Sequence, residues 1–129
     1  MICVRPKMQH SEITEKIIVC AYKVYNKMGY GYLESVYEKC MLIELESIGF
    51  NVETQRSLKV IYEGHVVGDF VADIIVNDTV IVELKSVSKI IKAHEIQLVN
   101  YLVSTNKPIG LILNFVKDKV EVKRKVKVL

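Results

Sequence analysis

Residues 69–86 read DFVADIIVNDTVIVELKS, a run in which Val, Ile, Leu, Ala and Phe crowd around a few charges. Two apolar stretches parted by Asn77-Asp78 predict a β-hairpin, because Asn and Asp tolerate the backbone of tight turns. Buried strands seldom carry charge, so Asp73, Glu83 and Lys85 need a reason. Residues two apart on a strand share a face, and Glu83 and Lys85 therefore project together. Across an antiparallel hairpin the numbers of opposed residues sum to a constant. A loop of Asn77-Asp78 alone sets Asp73 against Val82, whereas a loop that includes Thr79 sets Asp73 against Glu83. In the second register two carboxylates lie side by side, and burying them is costly unless a cation joins them. Hard oxygen ligands suit Mg²⁺ or Mn²⁺, which keep several waters and leave positions for a substrate phosphate. Lys85 then stands beside the attacking water and the phosphate charge.

The chain around this hairpin has the size of one domain. It has 129 residues, 50% of them hydrophobic and 26% charged, with no repeat and no low-complexity stretch, which argues against a disordered region or an internal linker. A net charge of +3 permits a polyanionic partner without requiring one. Cys3, Cys20 and Cys40 are scattered and lack C-x-x-C spacing, so neither a disulfide framework nor a zinc knuckle is indicated, and a reducing cytoplasm is the expected home. The opening MICVRPKMQH has no apolar h-region, and no segment approaches an apolar run of about 18 residues. The expectation is a protein neither secreted nor membrane-spanning.

Ser11 is a good N-cap for a helix whose apolar positions are Ile13, Ile17, Cys20, Ala21, Val24 and Met28. GYGY at 29–32 breaks it, and Leu33, Val36, Tyr37, Cys40, Met41, Leu45 and Ile48 mark a second helix ending at Gly49. Strands are expected over 51–62, 65–76 and 80–86, with turns at Glu63-Gly64 and Asn77-Asp78. KAHEIQLVNYLVSTN returns to helical spacing through Ile96, Val99, Leu102 and Val103 and stops at Asn106 and Pro108. Strands over 109–115 and 120–128 complete the order ααβββαββ, an α/β fold with a mixed sheet whose third and fourth strands are joined across the third helix.

Two further patterns flank the hairpin. Gly31, Glu34 and Tyr37 form G-x-x-E-x-x-Y at the mouth of the second helix, while Gln97 and Tyr101 lie four apart on one face of the third, with His94 a turn earlier. With Asp73 and Glu83-Leu84-Lys85 in the same order, the sequence resembles the GxxExxY family of the PD-(D/E)XK nuclease superfamily, and its Q-x-x-x-Y element is similar to that of RecB-type nuclease domains. The likeness runs from Ser11 to Val128 through LESVYE, VIVELK, HEIQLVNYL and GLILNF. It implies a restriction-endonuclease-like core, a single nuclease-like domain over 1–129, and metal-dependent hydrolysis of phosphodiesters in DNA, with RNA second. Asp73 and Glu83 would bind Mg²⁺ or Mn²⁺, with the backbone carbonyl of Leu84 as a further ligand and Glu34 joining directly or through water. Lys85 would position or polarise the attacking water, and Gln97, Tyr101 and His94 would contact substrate. Ala72 replaces the Pro of the superfamily name, and Tyr25 and Tyr30 stand where relatives often have His and Pro, so no first-helix histidine role carries over.

Each residue also has a plain reading. E-x-K alone is an ordinary ion pair on a half-exposed strand, and Glu34 suits a helix N-terminus whatever else it does. Tyr37 fits a core, Gln97 and Tyr101 fit a helix surface, and His94 fits a first helical turn. His65 reads as strand surface and Asp69 as the exposed start of a strand. The lysines of KDKVEVKRKVKVL read as protection of an edge strand rather than a grip on DNA. The alternative to a nuclease is an idle nucleic-acid-binding or assembly subunit of a repair or defence complex, since folds of this kind can outlive their activity.

Overall fold

The structure, a computed structural model, describes residues 10–127. Helices α1 (Ser11–Met28) and α2 (Glu34–Ser47) precede strands β1 (Val52–Tyr62), β2 (His65–Val76) and β3 (Val80–Lys85), then come α3 (Lys92–Thr105), β4 (Ile109–Val116) and β5 (Lys119–Val126). The five strands form one sheet in sequential order, antiparallel except for the parallel β3–β4 pair that α3 connects. The α/β class, the mixed sheet and the order ααβββαββ are as the sequence led one to expect. Cys3 and Val128 lie outside the described residues.

The helices cover the two faces of the sheet. Ile17, Cys20, Ala21 and Val24 of α1 and Tyr37, Met41 and Leu45 of α2 pack on Val80, Val82, Leu84, Ile109, Leu111 and Leu113. On the other face Leu98 and Leu102 of α3 cover Ile81 and Ile112. Ser11 proves to be the first helical residue, with His10 at the cap position, so the expected cap lies one residue off. Leu33 and Ile48, expected on the apolar face of α2, lie beyond its ends and are exposed. The apolar face of α3 differs in part from expectation: Leu102 is buried as expected, with Leu98 beside it, whereas Ile96 and Val103, also expected there, are about half exposed. Apolar residues ring this helix, so their spacing alone does not choose a face, and contact with the sheet does.

Hairpin β1–β2 contains the feature that shapes the site. Side chains on a strand alternate between faces, so Phe70, Ala72, Ile74 and Val76 should all point one way. Instead Ile74 and Val76 join the α1/α2 side, while Phe70 and Ala72 join the α3 side with Leu58 of β1. The reversal falls at Asp73, opposite Gln55. Gln55 has a φ of 52°, and the ladder runs from Thr54↔Ile74 to Arg56↔Ala72 without a Gln55–Asp73 pair. A single left-handed residue turns the strand over without changing its register. Past this kink β2 parts from β3, which it pairs only from Ile74↔Val82 to Val76↔Val80.

α3 sits close over β4 because residue 110 is glycine. A Cβ there would meet Leu98 Cδ1 at 2.9 Å and the Ile81 carbonyl oxygen at 3.2 Å. Leu98 could yield, but the strand carbonyl cannot. Gly110→Ala is therefore expected to destabilise the fold by about 1–3 kcal/mol, measured as a lower urea midpoint at unchanged m-value. No loss would mean that α3 rides farther from the sheet.

Candidate active site

The β2–β3 loop comprises Asn77, Asp78 and Thr79, with Asn77 and Asp78 both at a φ of 52°. Of the two registers open to the sequence, the structure adopts the one that continues to Asp73 opposite Glu83. Because the strands part there, backbone groups lose their ladder partners and the carboxylates take them. The Leu84 N–H donates to Asp73 Oδ2 at 2.9 Å, and the Asp73 N–H donates to Glu83 Oε2 at 3.2 Å. Each acid thus accepts a hydrogen bond from the other strand. Burial, followed by the neighbouring Asp73 charge, pushes the Glu83 carboxyl up from 4.5 to about 8. The Asp73 N–H and the Lys85 charge oppose that rise without cancelling it.

Asp73 also faces α2. With Glu34, Ser35, Glu38 and Gln55 it lines a cleft of about 400 Å³. Gln55 Nε2 donates to Glu38 Oε1 at 2.6 Å and to Asp73 Oδ1 at 3.4 Å, so the kinked residue bridges helix and strand. Glu38 follows Glu34 by one helical turn, a spacing that could have flagged it. A left-handed Gln has no sequence signature, and Gln55 could not have been found that way.

On the α3 side, Glu83 and Lys85 line a small cavity with His94, Gln97, Leu98, Tyr101 and Ile112. Its volume of about 10 Å³ is close to that of a single water site. Gln97 Nε2 donates to Tyr101 Oη at 3.3 Å, and the Tyr101 ring stacks on Phe70 with centroids 3.7 Å apart. His94 Nδ1 accepts the Ile91 N–H at 3.2 Å, which caps the first turn of α3. The structure thus gathers Glu83, Lys85, His94, Gln97 and Tyr101 on one side of the carboxylate pair and Glu34 on the other. Glu34 is exposed and shares the cleft with Asp73 but not the small cavity.

The third member of the G-x-x-E-x-x-Y pattern has a structural place. Tyr37 is fully buried, stacks on Phe115 with centroids 4.1 Å apart, donates from its hydroxyl to the Gly29 carbonyl at 2.7 Å and accepts the Tyr32 N–H at 3.4 Å. It fastens the GYGY loop to the core. A second buried clamp had no counterpart in the sequence reading. Asn114 exchanges hydrogen bonds with both the N–H and the carbonyl of Val87 and donates to Glu121 Oε1, which also accepts the Ile90 N–H. These bonds fix the segment leading from Lys85 to α3.

Among the described residues no group of three or more His, Cys, Asp and Glu side chains forms a ready-made metal cage. The carboxylate pair nevertheless fits a hard divalent cation: one acid is held protonated near neutral pH chiefly by burial, then by its neighbour, and a cation relieves both effects. Mg²⁺ needs only one or two protein carboxylates when waters and substrate complete its shell. No helix among the described residues is long and apolar enough to cross a membrane.

No curated protein matches the chain. Among solved structures, the crystal structure of SSO0001 is 21% identical with a TM-score of 0.52, and the match covers 97% of this chain and 63% of that one. The chain therefore spans less than two thirds of SSO0001, and at this identity the likeness shows the fold alone. The family model of the PD-(D/E)XK nuclease superfamily matches residues 11–125, which takes in both helices before the sheet, the carboxylate pair, α3 and most of β5. The chain belongs to the PD-(D/E)XK nuclease superfamily.

Proposed function

We propose that the protein is a Mg²⁺- or Mn²⁺-dependent nuclease of the GxxExxY type that hydrolyses phosphodiester bonds in DNA, with RNA as the less favoured substrate. The observation that carries this reading is the crossed hydrogen bonding at the strand split, Leu84 N–H to Asp73 and Asp73 N–H to Glu83, with Lys85 two residues beyond Glu83 on β3. Asp73 and Glu83 would hold the cation, with the Leu84 carbonyl as a further ligand and Glu34 reaching it through a water across the cleft. When bound, the cation supplies positive charge to the scissile phosphate and acidifies water in the site.

The chain's own residues do the remaining work. The Lys85 ammonium shares with Glu83 a cavity the size of one water, where it can orient a nucleophile and offset charge that develops on the phosphate. Gln97, Tyr101 and His94 present polar groups to the same cavity and would hold phosphate oxygens in register. The stacking of Tyr101 on Phe70 fixes its hydroxyl, so positioning does not rely on a flexible side chain. No residue needs to form a covalent bond to substrate.

The test is incubation of the purified protein with linear, circular and single-stranded DNA and with RNA in Mn²⁺ or Mg²⁺. Cleavage by the parent is expected, with Lys85→Ala slower by about 100-fold or more. Gln97→Ala keeps helix propensity, so its stability should stay within about 1 kcal/mol of the parent while cleavage falls. Metal-dependent binding without turnover would favour an idle nucleic-acid-binding or assembly subunit. Cleavage untouched in both variants would remove these residues from the site.

A further inference from the structure

A second and larger concavity opens beside the candidate site. Its volume is about 500 Å³, and it lies between the Tyr30-Gly31 loop, the segment that begins with Ser86 and the β4–β5 turn at Lys117 and Asp118. Gly31, in the loop before α2, lines it, three residues ahead of Glu34, the first residue of α2, which lines the acidic cleft. Ser86, which follows Lys85 in the chain, donates from its hydroxyl to the Tyr32 carbonyl at 3.1 Å and ties that loop to the end of β3. Tyr25 on α1 hydrogen bonds through its hydroxyl to the Lys117 carbonyl, so the opposite wall is also held. The cavity is built into the fold rather than left between loose loops.

Its lining is divided by chemistry. Val87 and Val116 contribute apolar surface, and Tyr30, 54% exposed, offers a ring at the edge. Lys117 and Lys119 contribute two cations against the single acid Asp118. Among the described residues neither lysine is held in an ion pair. Further along β5, Lys125 pairs with Glu95, whereas Lys117 and Lys119, which the sequence suggested only keep an edge strand soluble, line this cavity.

From this arrangement we infer that the cavity holds an unpaired nucleotide of a single-stranded nucleic acid whose scissile phosphate lies at the Asp73–Glu83 pair, with the base against Tyr30 and a phosphate on Lys117 and Lys119. The inference rests on the nuclease reading for the direction of the strand. The volume lies in the range of pockets that enclose small ligands and has room for one base. A base inside a duplex has both faces covered by its neighbours and cannot stack on a side chain, whereas an unpaired base can. A continuous duplex is also too broad to enter a concavity of about 500 Å³ between three loops. The substrate class is therefore a single strand, or a duplex with an unpaired end or junction, rather than continuous duplex.

Fluorescence anisotropy of labelled oligo(dT), oligo(U) and a blunt duplex against the full chain, with Ca²⁺ in place of Mg²⁺, tests this separately from cleavage. The expected result is tighter binding of the single strands. Tyr30→Ala should weaken that binding by about 5- to 100-fold, the effect of losing one base–aromatic stack, and leave duplex binding unchanged, while Tyr30→Phe should retain it. Lys117→Gln and Lys119→Gln should each lower the slope of log K against log salt by about 0.7. Comparing oligo(dT) with oligo(U) distinguishes DNA from RNA as the source of the strand. Equal affinity for single strand and duplex, indifference to Tyr30→Ala, or a mononucleotide that competes as well as the oligonucleotide would overturn the inference. Cleavage with intact Lys85 dependence but no Tyr30 effect would overturn it while leaving the nuclease reading in place; single-strand binding without cleavage would do the reverse.

Discussion

Two carboxylates face each other at a point where a sheet comes apart, and the architecture around them serves to make that tolerable. Strand separation leaves the Leu84 and Asp73 N–H groups without ladder partners, and an unpaired buried N–H is costly. The acids answer the amides, since Asp73 takes one and Glu83 the other. Two amides do not neutralise two charges, however, and Glu83 stays largely protonated near neutral pH. The fold has thus built a place that is complete as hydrogen bonding and incomplete as electrostatics. A small hard cation supplies what is missing.

Much of this was legible in the sequence, because the determinants were local. Alternation of Val and Ile, the Asn77-Asp78 turn and the helix stop at Asn106 and Pro108 are short-range signals, and each produced an element in its expected place. Parity along β3 was enough to set Glu83 and Lys85 on the same face. Other features depend on tertiary context. The choice between a two- and a three-residue loop could not be made from Asn77, Asp78 and Thr79 alone. The buried face of α3 is set by the space that Gly110 leaves for Leu98, and Gly110 lies on another element. The reversal at Asp73 rests on the left-handed backbone of Gln55, a residue with no preference for it.

The sequence patterns also divide differently in space than along the chain. Glu34 and Tyr37 belong to one short motif, yet Glu34 lines the acidic cleft while Tyr37 is buried under the loop and stacked on Phe115. Gln97 and Tyr101 form a polar pair on α3, but the ring of Tyr101 packs on Phe70 and only its polar end serves the cavity. A residue in such a motif can hold the frame for its neighbour. Asn114 and Glu121 do the same from β4 and β5, outside any pattern, by clamping the segment that follows Lys85.

The dependence of stability on pH, with and without Mg²⁺, tests the central claim most directly. Glu83 has its ordinary value of 4.5 in the unfolded chain and about 8 in the folded one, so between these limits the folded state binds the extra proton. Its contribution to stability is full below 4.5 and is lost as the pH rises through 8. Urea unfolding in EDTA should therefore show stability falling across that window. Millimolar Mg²⁺ should abolish the fall by binding the ionised pair, and Asp73→Asn should weaken both effects. A metal-free protein whose stability does not change between pH 4.5 and 8, or one that Mg²⁺ leaves unaltered at pH 8, would contradict the account.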